Sequence, residues 1–420
     1  MHKSKSIFFS AIAGNILEYY DFTVYLVFSR VIGPTFFPSQ SEFLQITSSL
    51  VVFAVGFITR PIGGIFFGYI GDRYGRRISL IISMLGMVIS TFAIGLIPSY
   101  QDIGIYAPLI LVIMRLLQGL CISGEGTGAA IFILEHHQHL WPGFTAALVN
   151  ASNIAGTLMA FLIGILIEQY FQHIAFAWRF PFLLGGLMGL LGFYLRLRVG
   201  ETPVFKMLAK QKKTLKAPFW NVVNTSWKSM FLTFCTASLA SSIMYLVKTV
   251  NVYCSNILHF DNKIALMYAL YTSLIAMIMI PLFGGLTDII GKFKVVILTS
   301  VVTCILILPT LFAISFVDRW CQIVALTLLG VLAGAVVGSA YIFVISLFTP
   351  EQKFFGVSFS YNLGVAMFGG TAPIISRWFV KQTGLFYAPA FYIMSLASTF
   401  LVIMYIMRNE IKKLLLNNNK

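Results

Sequence analysis

Charged side chains are scarce in this chain of 420 residues: they make up 10% of the sequence, whereas hydrophobic residues make up 58%. A water-soluble domain usually carries about a quarter charged residues, so a soluble fold of this length is excluded. Acidic residues are the scarcest, with 14 Asp and Glu against 29 Lys and Arg. Because most of the basic residues fall between long apolar runs, membrane topology explains the net charge of +15 better than nucleic-acid binding does.

Cysteines are few as well, and none of the five has the spacing of a metal ligand or of a disulfide framework. They are expected to be small apolar fillers: Cys121, Cys235, Cys254, Cys304 and Cys321. The cluster His136, His137 and His139 lacks acidic or cysteine partners at suitable spacing, so no metal site is expected. The chain also has no phosphate loop and no nucleophile elbow, which argues against an enzyme and against a bound cofactor.

Twelve apolar runs are present, each near the ~20 residues that cross a bilayer as a helix. The first run carries Glu18 and Asp21 and no cleavage site follows it, so it is a membrane helix rather than a signal peptide. The sequence therefore predicts an all-α membrane protein with twelve transmembrane helices near 7–31, 46–70, 78–98, 105–134, 143–170, 178–197, 229–257, 264–286, 295–316, 321–348, 356–380 and 386–407.

The placement of Lys and Arg predicts that both termini are cytoplasmic. With the N-terminus inside, most basic residues, Arg196 among them, fall on the cytoplasmic side. The opposite side holds Arg30, Arg179, Lys248, Lys263, Arg319, Arg377 and Lys381. The predicted organisation is an N-terminal six-helix half at 1–197, a cytoplasmic linker at 198–228, and a C-terminal six-helix half with a short tail at 229–420. The Lys-rich part of the linker, 206–216, is either an amphipathic helix on anionic lipid or a solvated segment.

The two halves repeat each other. Gly68-x-x-x-Asp72-x-x-Gly75-Arg76 recurs as Gly284-x-x-x-Asp288-x-x-Gly291-Lys292, 216 positions later. Asn153 and Asn362 are 209 positions apart. Internal repeats of this kind are typical of secondary transporters, whose solute site lies between the repeats near the midplane of the membrane.

The motifs resemble those of the major facilitator superfamily, and as a set those of its metabolite:proton symporter branch, which includes carriers of proline/betaine, citrate, α-ketoglutarate and shikimate. The stretches that carry this resemblance are 17–22 (LEYYDF), 56–64 (GFITRPIGG), the Asp72 loop, 115–119 (RLLQG), 124–129 (GEGTGA), 201–205 (ETPVF) and 361–362 (YN). The second copy of the loop departs from the family pattern, with Ile289 and Lys292 where arginines are usual.

The resemblance and the glycine-rich loop together predict a cytoplasmic gate. Glycines permit close helix approach and a tight turn, and the charged residues can latch the loop to its neighbours. The residues expected to form this gate are Gly68, Asp72, Arg73, Gly75, Arg76, Glu135, Asp288 and Gly291. Glu135 is expected to contact Arg76 or Arg77.

Ionisable residues inside membrane helices are costly and are usually functional. Glu18 and Asp21 lie about one turn apart on the first helix, and a buried carboxylate holds a proton more readily than one in water. They are either proton carriers or ion-pair partners of Arg60 or Arg115. In the superfamily an arginine at the position of Arg115 is associated with proton coupling. Glu125 is either a second proton site or an interhelical hydrogen-bond acceptor, and the candidate coupling residues are Glu18, Asp21, Arg115 and Glu125.

Candidate substrate-binding residues are polar groups on the helices that line a solute path. Arg60, next to Pro61, either binds a carboxylate in bidentate fashion or pairs with the first helix. Lys248 either fixes a substrate carboxylate or extends to the outer surface. The full set is Tyr19, Arg60, Gln118, Asn153, Tyr245, Lys248, Asn251, Tyr361 and Asn362.

The expected function is proton-coupled import of a small carboxylate-bearing solute, such as an organic acid or a proline/betaine-type zwitterion, by alternating access across a bacterial inner membrane. Excess cationic groups would favour a citrate-derived siderophore or another polycarboxylate, and balanced charges would favour proline or betaine. An efflux antiporter is the other alternative, although the fifth helix lacks the Gly-x-x-x-Gly-Pro pattern usual in efflux pumps. Expected partners are the solute and the lipid bilayer, without nucleic acid, and the protein is expected to be a monomer.

Overall fold

The computed structural model describes residues 2–39, 41–136, 141–171, 173–211, 218–256, 258, 260–316 and 318–417. All secondary structure within these ranges is helical. Contacts divide the chain into two compact units. Unit 1 comprises Met1–His136 with Ser152–Lys216, and unit 2 comprises His137–Ala151 with Ala217–Lys420.

The α-helices of the first part of the chain are α1 (His2–Val27), α2 (Ser29–Phe36), α3 (Glu42–Arg73), α4 (Arg76–Leu96), α5 (Tyr100–Ile103), α6 (Tyr106–His136), α7 (Pro142–Tyr170), α8 (Phe180–Leu197) and α9 (Pro203–Lys210). A short 3₁₀ turn at Ala177–Arg179 lies between α7 and α8. Helix α7 begins in unit 2 and continues in unit 1 from Ser152.

The remaining helices lie in unit 2. They are α10 (Pro218–Lys248), α11 (Val250–Asn256), α12 (Asn262–Ile290), α13 (Lys292–Ile314), α14 (Arg319–Ile345), α15 (Lys353–Gly364), α16 (Ala372–Thr383), α17 (Pro389–Ile406) and α18 (Arg408–Asn417), with a five-residue π-helix at Val365–Gly369 between α15 and α16.

Eleven helical segments of the described residues are long and apolar enough to cross a membrane. The remaining predicted span, which is the first in the sequence, corresponds to α1, a helix of 26 residues that carries Glu18 and Asp21 in its second half. The twelve-helix prediction is confirmed. In the structure, some predicted spans are divided into two helices, because the helix is interrupted inside a run that hydropathy predicts to be continuous. The first predicted span becomes α1 and α2, and the seventh becomes α10 and α11.

The linker segment forms a helix that packs on the protein. Val204, Phe205 and Leu208 on α9 are buried, and the Arg76 guanidinium lies 5.3 Å from the centre of the Phe205 ring. Thr202 caps the helix by accepting a hydrogen bond from the Phe205 backbone N–H. This part of the Lys-rich segment therefore turns its apolar face towards protein, and residues 212–216 of that segment lie outside the described residues.

Helices α7 and α12 approach each other closely at glycine. A Cβ added at Gly284 would meet the Gly143 carbonyl and the Ala147 side chain, whereas a Cβ at neighbouring Gly285 would find only Phe144, at 3.6 Å or more. Small residues that let helix backbones approach are typical of membrane-protein interfaces.

This adjacent glycine pair gives a matched prediction. We expect Gly284→Ala to destabilise the purified protein by about 1–3 kcal/mol, because the added methyl group overpacks the α7–α12 contact. Gly285→Ala is expected to be neutral or slightly stabilising, because alanine is the better helix former and has room. Thermal unfolding in detergent measures both variants, and equal midpoints would contradict this account of the contact.

Candidate functional site

Apart from the gate-loop cluster of Asp72, Arg76 and Glu135, six charged residues are buried on the described helices of unit 1. They are balanced, three acids and three arginines: Glu18, Asp21, Glu125, Arg60, Arg115 and Arg196, each 4% exposed or less. Five of them are candidate residues of the sequence analysis. The sixth residue, Arg196, was predicted to lie on the cytoplasmic side of the membrane. That prediction is wrong, because Arg196 is buried on α8.

Two aromatic rings hold the Arg60 guanidinium. Its Cζ lies 4.7 Å from the centre of the Phe22 ring and 4.4 Å from that of Phe57. The Nε and Nη2 atoms of Arg60 are buried and make no hydrogen bond within the described residues. These two atoms form one edge of the guanidinium, the edge that can donate two parallel hydrogen bonds to a carboxylate. Arg60 therefore presents an oriented donor pair suited to a carboxylate.

Arg115 reaches Asp21 through two intermediates. Its Nη1 donates to Gln118 Oε1 at 2.7 Å, and Gln118 Nε2 donates to the Thr91 hydroxyl at 2.8 Å. Thr91 is in turn a hydrogen-bond partner of the Asp21 carboxyl. Because the Thr91 oxygen already accepts from Gln118, its own proton is available to Asp21. Gln118 thus serves as a polar connection between two of the predicted coupling residues.

The Glu18 carboxyl group is buried, and neither of its oxygens makes a hydrogen bond within the described residues. Its charged neighbours are Arg196, Asp21 and Arg60. This is unusual, because buried polar groups nearly always have hydrogen-bond partners in native structures. Since its oxygens make no such bond, Glu18 can accept a proton or a hydrogen-bond donor without first breaking one.

Glu125 forms its ion pair with Arg196 and accepts a further hydrogen bond from Ser83 at 3.4 Å. Arg196 lies on the same face of α8 as the small residues Gly185 and Gly189, because the three positions are separated by multiples of a helical turn. This spacing is the signal that could have placed Arg196 inside.

Helix α7 contributes amide groups to the same unit. Asn15 on α1 donates to Asn153 and, at 2.7 Å, to Ser152, and both acceptors are buried. Asn153 therefore contacts α1 three residues before Glu18. Tyr19 is half-buried, and its backbone carbonyl accepts from the Thr23 hydroxyl.

In unit 2 the candidate residues of α10 and α11 lie at a helix break. Lys248 is 9% exposed and its Nζ lies 5.3 Å from the centre of the Tyr245 ring. The interpretation that Lys248 extends to the outer surface is therefore wrong, because the side chain packs on Tyr245 instead. Asn251 does not continue the same helix, since α10 ends at Lys248 and α11 begins at Val250.

The other two candidate residues of unit 2, Tyr361 and Asn362, lie in the last turn of α15, just before the π-helix begins at Val365. Tyr361 packs edge-on against Tyr341, with centroids 5.1 Å apart, and Asn362 Nδ2 donates to the Ser358 carbonyl at 2.8 Å. Within the π-helix, the Phe368 carbonyl accepts a hydrogen bond from the Tyr392 hydroxyl at 2.9 Å. Segments of π-helix are frequent at functional sites.

The first gate loop forms a compact charge cluster. Arg76 is fully buried and pairs with Asp72 at 3.2 Å and with Glu135 at 3.3 Å. Glu135 also accepts from the Thr202 hydroxyl at 2.7 Å. Of the two expected partners of Glu135, the structure selects Arg76. Arg73 is exposed, and its guanidinium lies over the Tyr69 and Tyr74 rings.

Glu201 closes the loop from the side of α9. Its carboxylate accepts the Arg77 backbone N–H at 3.1 Å. Burial raises the pKa of Glu201, and hydrogen bonds from the backbone of Thr202 and Arg77 act in the opposite direction. Gly75 lies directly against this carboxylate, and Gly68 is buried on α3 one turn before Asp72.

The second copy of the loop caps a helix. Asp288 accepts the backbone N–H groups of Gly143 at 2.7 Å and Phe144 at 2.9 Å. Both donors belong to the first turn of α7, where backbone N–H groups lack partners within the helix and a negative charge is favourable. Gly291 has φ +105°, and its counterpart Gly75 has φ +123°.

The two glycines give a second matched prediction. Positive φ of this kind is essentially restricted to glycine, so Gly291→Ala is expected to cost about 1–3 kcal/mol through backbone strain alone. Gly75→Ala is expected to cost more, because its Cβ would also displace the Glu201 carboxylate, whereas the space beside Gly291 is open. Thermal unfolding midpoints compare the two variants, and a larger loss for Gly291→Ala would contradict the role assigned to Glu201.

A search of the described residues gives no group of three or more His, Cys, Asp or Glu that could hold a metal ion. The His136 Nδ1 lies 2.8 Å from the Phe132 carbonyl. His137 and His139 fall outside the described residues.

Comparison with known proteins places this geometry in a family. Residues 11–358 match the Major Facilitator Superfamily. The chain is similar to the glycine betaine/proline/ectoine/pipecolic acid transporter OusA of Dickeya dadantii, with 33% identity covering 92% of this chain and 80% of the relative. It is 32% identical to the proline/betaine transporter of Escherichia coli K12, with the same coverage. Among solved structures, it is similar to the proton:xylose symporter XylE bound to 6-bromo-6-deoxy-D-glucose, with TM-score 0.76, 17% identity and coverage of 98% and 96% of the two chains.

The chain is a membrane transporter of the major facilitator superfamily. It is a secondary transporter of a small solute, and the resemblance to proline/betaine carriers within the superfamily is confirmed by the curated relatives. The family consists of transporters rather than enzymes. A putative proline/betaine transporter of Staphylococcus aureus COL is similar as well, at 31% identity over 96% of this chain and 88% of the relative.

Proposed function

We propose that this protein imports a small zwitterionic solute of the proline/betaine type together with a proton, by alternating access. The observation that carries the proposal is that the Nε/Nη2 edge of Arg60 and the Glu18 carboxyl group are both buried and make no hydrogen bond within the described part of the chain. The first is a site for a carboxylate and the second a site for a proton. Outside the gate-loop cluster, the buried charges of unit 1 are balanced, with three acids and three arginines, and this balance favours a zwitterion over a polycarboxylate.

The cluster also gives a physical reason for coupling. A zwitterion brings no net charge, but its carboxylate would neutralise Arg60, which is one of the charged neighbours of Glu18. With that cation neutralised, ionised Glu18 loses stabilisation, so solute binding favours uptake of a proton by Glu18. The proposal includes a bacterial inner membrane with both termini cytoplasmic, a monomeric state and no cofactor besides the coupling proton. It also includes Asp21, Arg115 and Glu125 as coupling residues, and Tyr19, Gln118, Asn153, Tyr245, Lys248, Asn251, Tyr361 and Asn362 as residues of the solute path.

The direct test is uptake by purified protein in liposomes with an imposed pH gradient, acidic outside. The panel contains labelled proline, glycine betaine, α-ketoglutarate and citrate. We expect proline or glycine betaine to accumulate several-fold above the level reached without a gradient. Accumulation of citrate alone would favour the polycarboxylate alternative, and gradient-driven loss of a preloaded solute would favour efflux. Absence of gradient-dependent movement of every solute would overturn proton-coupled transport.

A further inference from the structure

Arg196 occupies a position between two buried carboxylates. Its Nη2 pairs with Glu125 on α6, and Glu18 on α1 is the acidic group that acts on it electrostatically. Arg196 is also the foremost charged neighbour of Glu18. One guanidinium therefore lies within reach of two acids on two different helices.

The packing of α1 shows which edge of Arg196 faces Glu18. A Cβ added at Gly14 would lie 2.7 Å from Arg196 Nη2 and 3.0 Å from its Nε. Gly14 and Glu18 are four residues apart on α1, so they share a helix face. The Nε–H of Arg196 makes no hydrogen bond within the described residues, and neither do the two Glu18 oxygens. Arg196 therefore contacts Glu125 while lying against the face of α1 that carries Glu18.

We propose that Arg196 is the positioning residue that sets the protonation of Glu18, by pairing with Glu125 while Glu18 holds a proton and moving to Glu18 once that proton has left. The inference rests on the proposed function for its use in transport, whereas the exchange of ion-pair partners rests on the Arg196–Glu125 contact and on the closeness of Arg196 to Gly14, one turn before Glu18. It gives Glu125 a defined part, which is to hold the arginine during the half of the cycle in which Glu18 is neutral.

The other groups that face Glu18 do not account for such an exchange. Asp21 is occupied by Thr91, and Arg60 is held between the Phe22 and Phe57 rings. Cys121 on α6 also lies near Glu18 but is a neutral thiol. Arg196 is therefore the cation whose displacement links the two carboxylates.

The test is an infrared titration of the full-length protein in liposomes, without solute. The C=O band of protonated Glu18 is assigned by its loss in Glu18→Gln. In Arg196→Gln, the pH at which the band disappears is expected to rise by about 1–3 pH units, because the stabilising cation is gone. In Glu125→Gln it is expected to fall, because Arg196 becomes fully available to Glu18. Arg196→Lys should return the midpoint towards that of the wild type.

The matched control is Arg198→Gln, since Arg198 lies just after the end of α8 and is exposed, with its guanidinium over the Tyr194 ring. The double variant Arg196→Gln/Glu125→Gln removes both charges of the buried pair, so it can be measured even if Arg196→Gln alone misfolds. The pH at which the Glu18 band disappears should still rise in this double variant. An unchanged midpoint in the double variant, or a shift of the same sign in Arg196→Gln and Glu125→Gln, overturns the proposal. Failure of the proposed function would instead appear as absent solute uptake with the infrared shifts intact.

Discussion

Replacing Arg60 by glutamine is expected to weaken binding of a carboxylate-bearing solute by about 100-fold or more. The buried Nε/Nη2 edge can donate two charge-assisted hydrogen bonds, each contributing about 1.5–3 kcal/mol, and glutamine can supply at most one neutral donor in their place. Arg60→Lys keeps the charge but loses the planar fork, so it should retain only part of the affinity. The half-saturation concentration for proline uptake or exchange in liposomes measures the effect.

Two comparisons make the Arg60 experiment specific. Arg30 on α2 is exposed, so Arg30→Gln serves as the control that changes an arginine of the same unit elsewhere. Prolinamide lacks the carboxylate, so the wild type should prefer proline strongly and Arg60→Gln should lose that preference. If Arg60→Gln keeps both the affinity for proline and the discrimination against prolinamide, the carboxylate binds elsewhere.

Replacing Glu18 by glutamine is expected to abolish solute accumulation driven by a pH gradient while leaving solute exchange across the membrane intact. Glutamine mimics the protonated carboxyl group in shape and charge, so the loaded carrier can still reorient, but it cannot take up and release a proton. Exchange by the variant should also lose its dependence on pH. Gradient-driven uptake and counterflow in the same liposome preparation separate the two effects.

The control for Glu18 is Glu410→Gln. Glu410 lies on α18 and forms a partly exposed ion pair with Lys228 at 3.1 Å, and such surface pairs contribute little. The Glu410→Gln substitution should therefore leave solute accumulation unchanged. Persistent accumulation in Glu18→Gln would show that Glu18 is not the proton site and would direct attention to Asp21, whose carboxyl is already connected to Arg115 through Thr91 and Gln118.

Hydropathy and the internal repeat were sufficient to predict the twelve helices, because a helix must satisfy its backbone within the bilayer and a long apolar run has no alternative structure. They did not predict where helices break. The interruption between Lys248 and Val250 falls at a short polar stretch, but polar residues such as Glu18 also occur inside unbroken membrane helices, so composition does not mark it. The cap that Asp288 provides for α7 depends on contacts between segments far apart in sequence, which spacing alone cannot specify.

The candidate site was predictable as a set of residues rather than as a set of contacts. A charge within an apolar run is visible in the sequence, and Glu18, Asp21, Arg60, Arg115 and Glu125 are all buried. Their partners were not visible, because Thr91 and Ser83 are ordinary hydroxyl residues on α4. Arg196 was misplaced because it lies at the end of an apolar run, where hydropathy cannot separate a residue that faces the helix interior from one that faces the cytoplasm.

The π-helix at Val365–Gly369 changes how the two halves should be aligned with each other. Its backbone bond from Gly370 N to the Val365 carbonyl, 2.8 Å long, spans five residues instead of four. One residue corresponds to about 100° of rotation around a helix, so side chains of α16 are turned relative to those that a continuous α15 would predict. Cysteine-accessibility scanning along 353–383 should therefore show a helical period whose phase jumps after residue 365, and an ungapped superposition of the two sequence repeats would assign the wrong face to every residue beyond it.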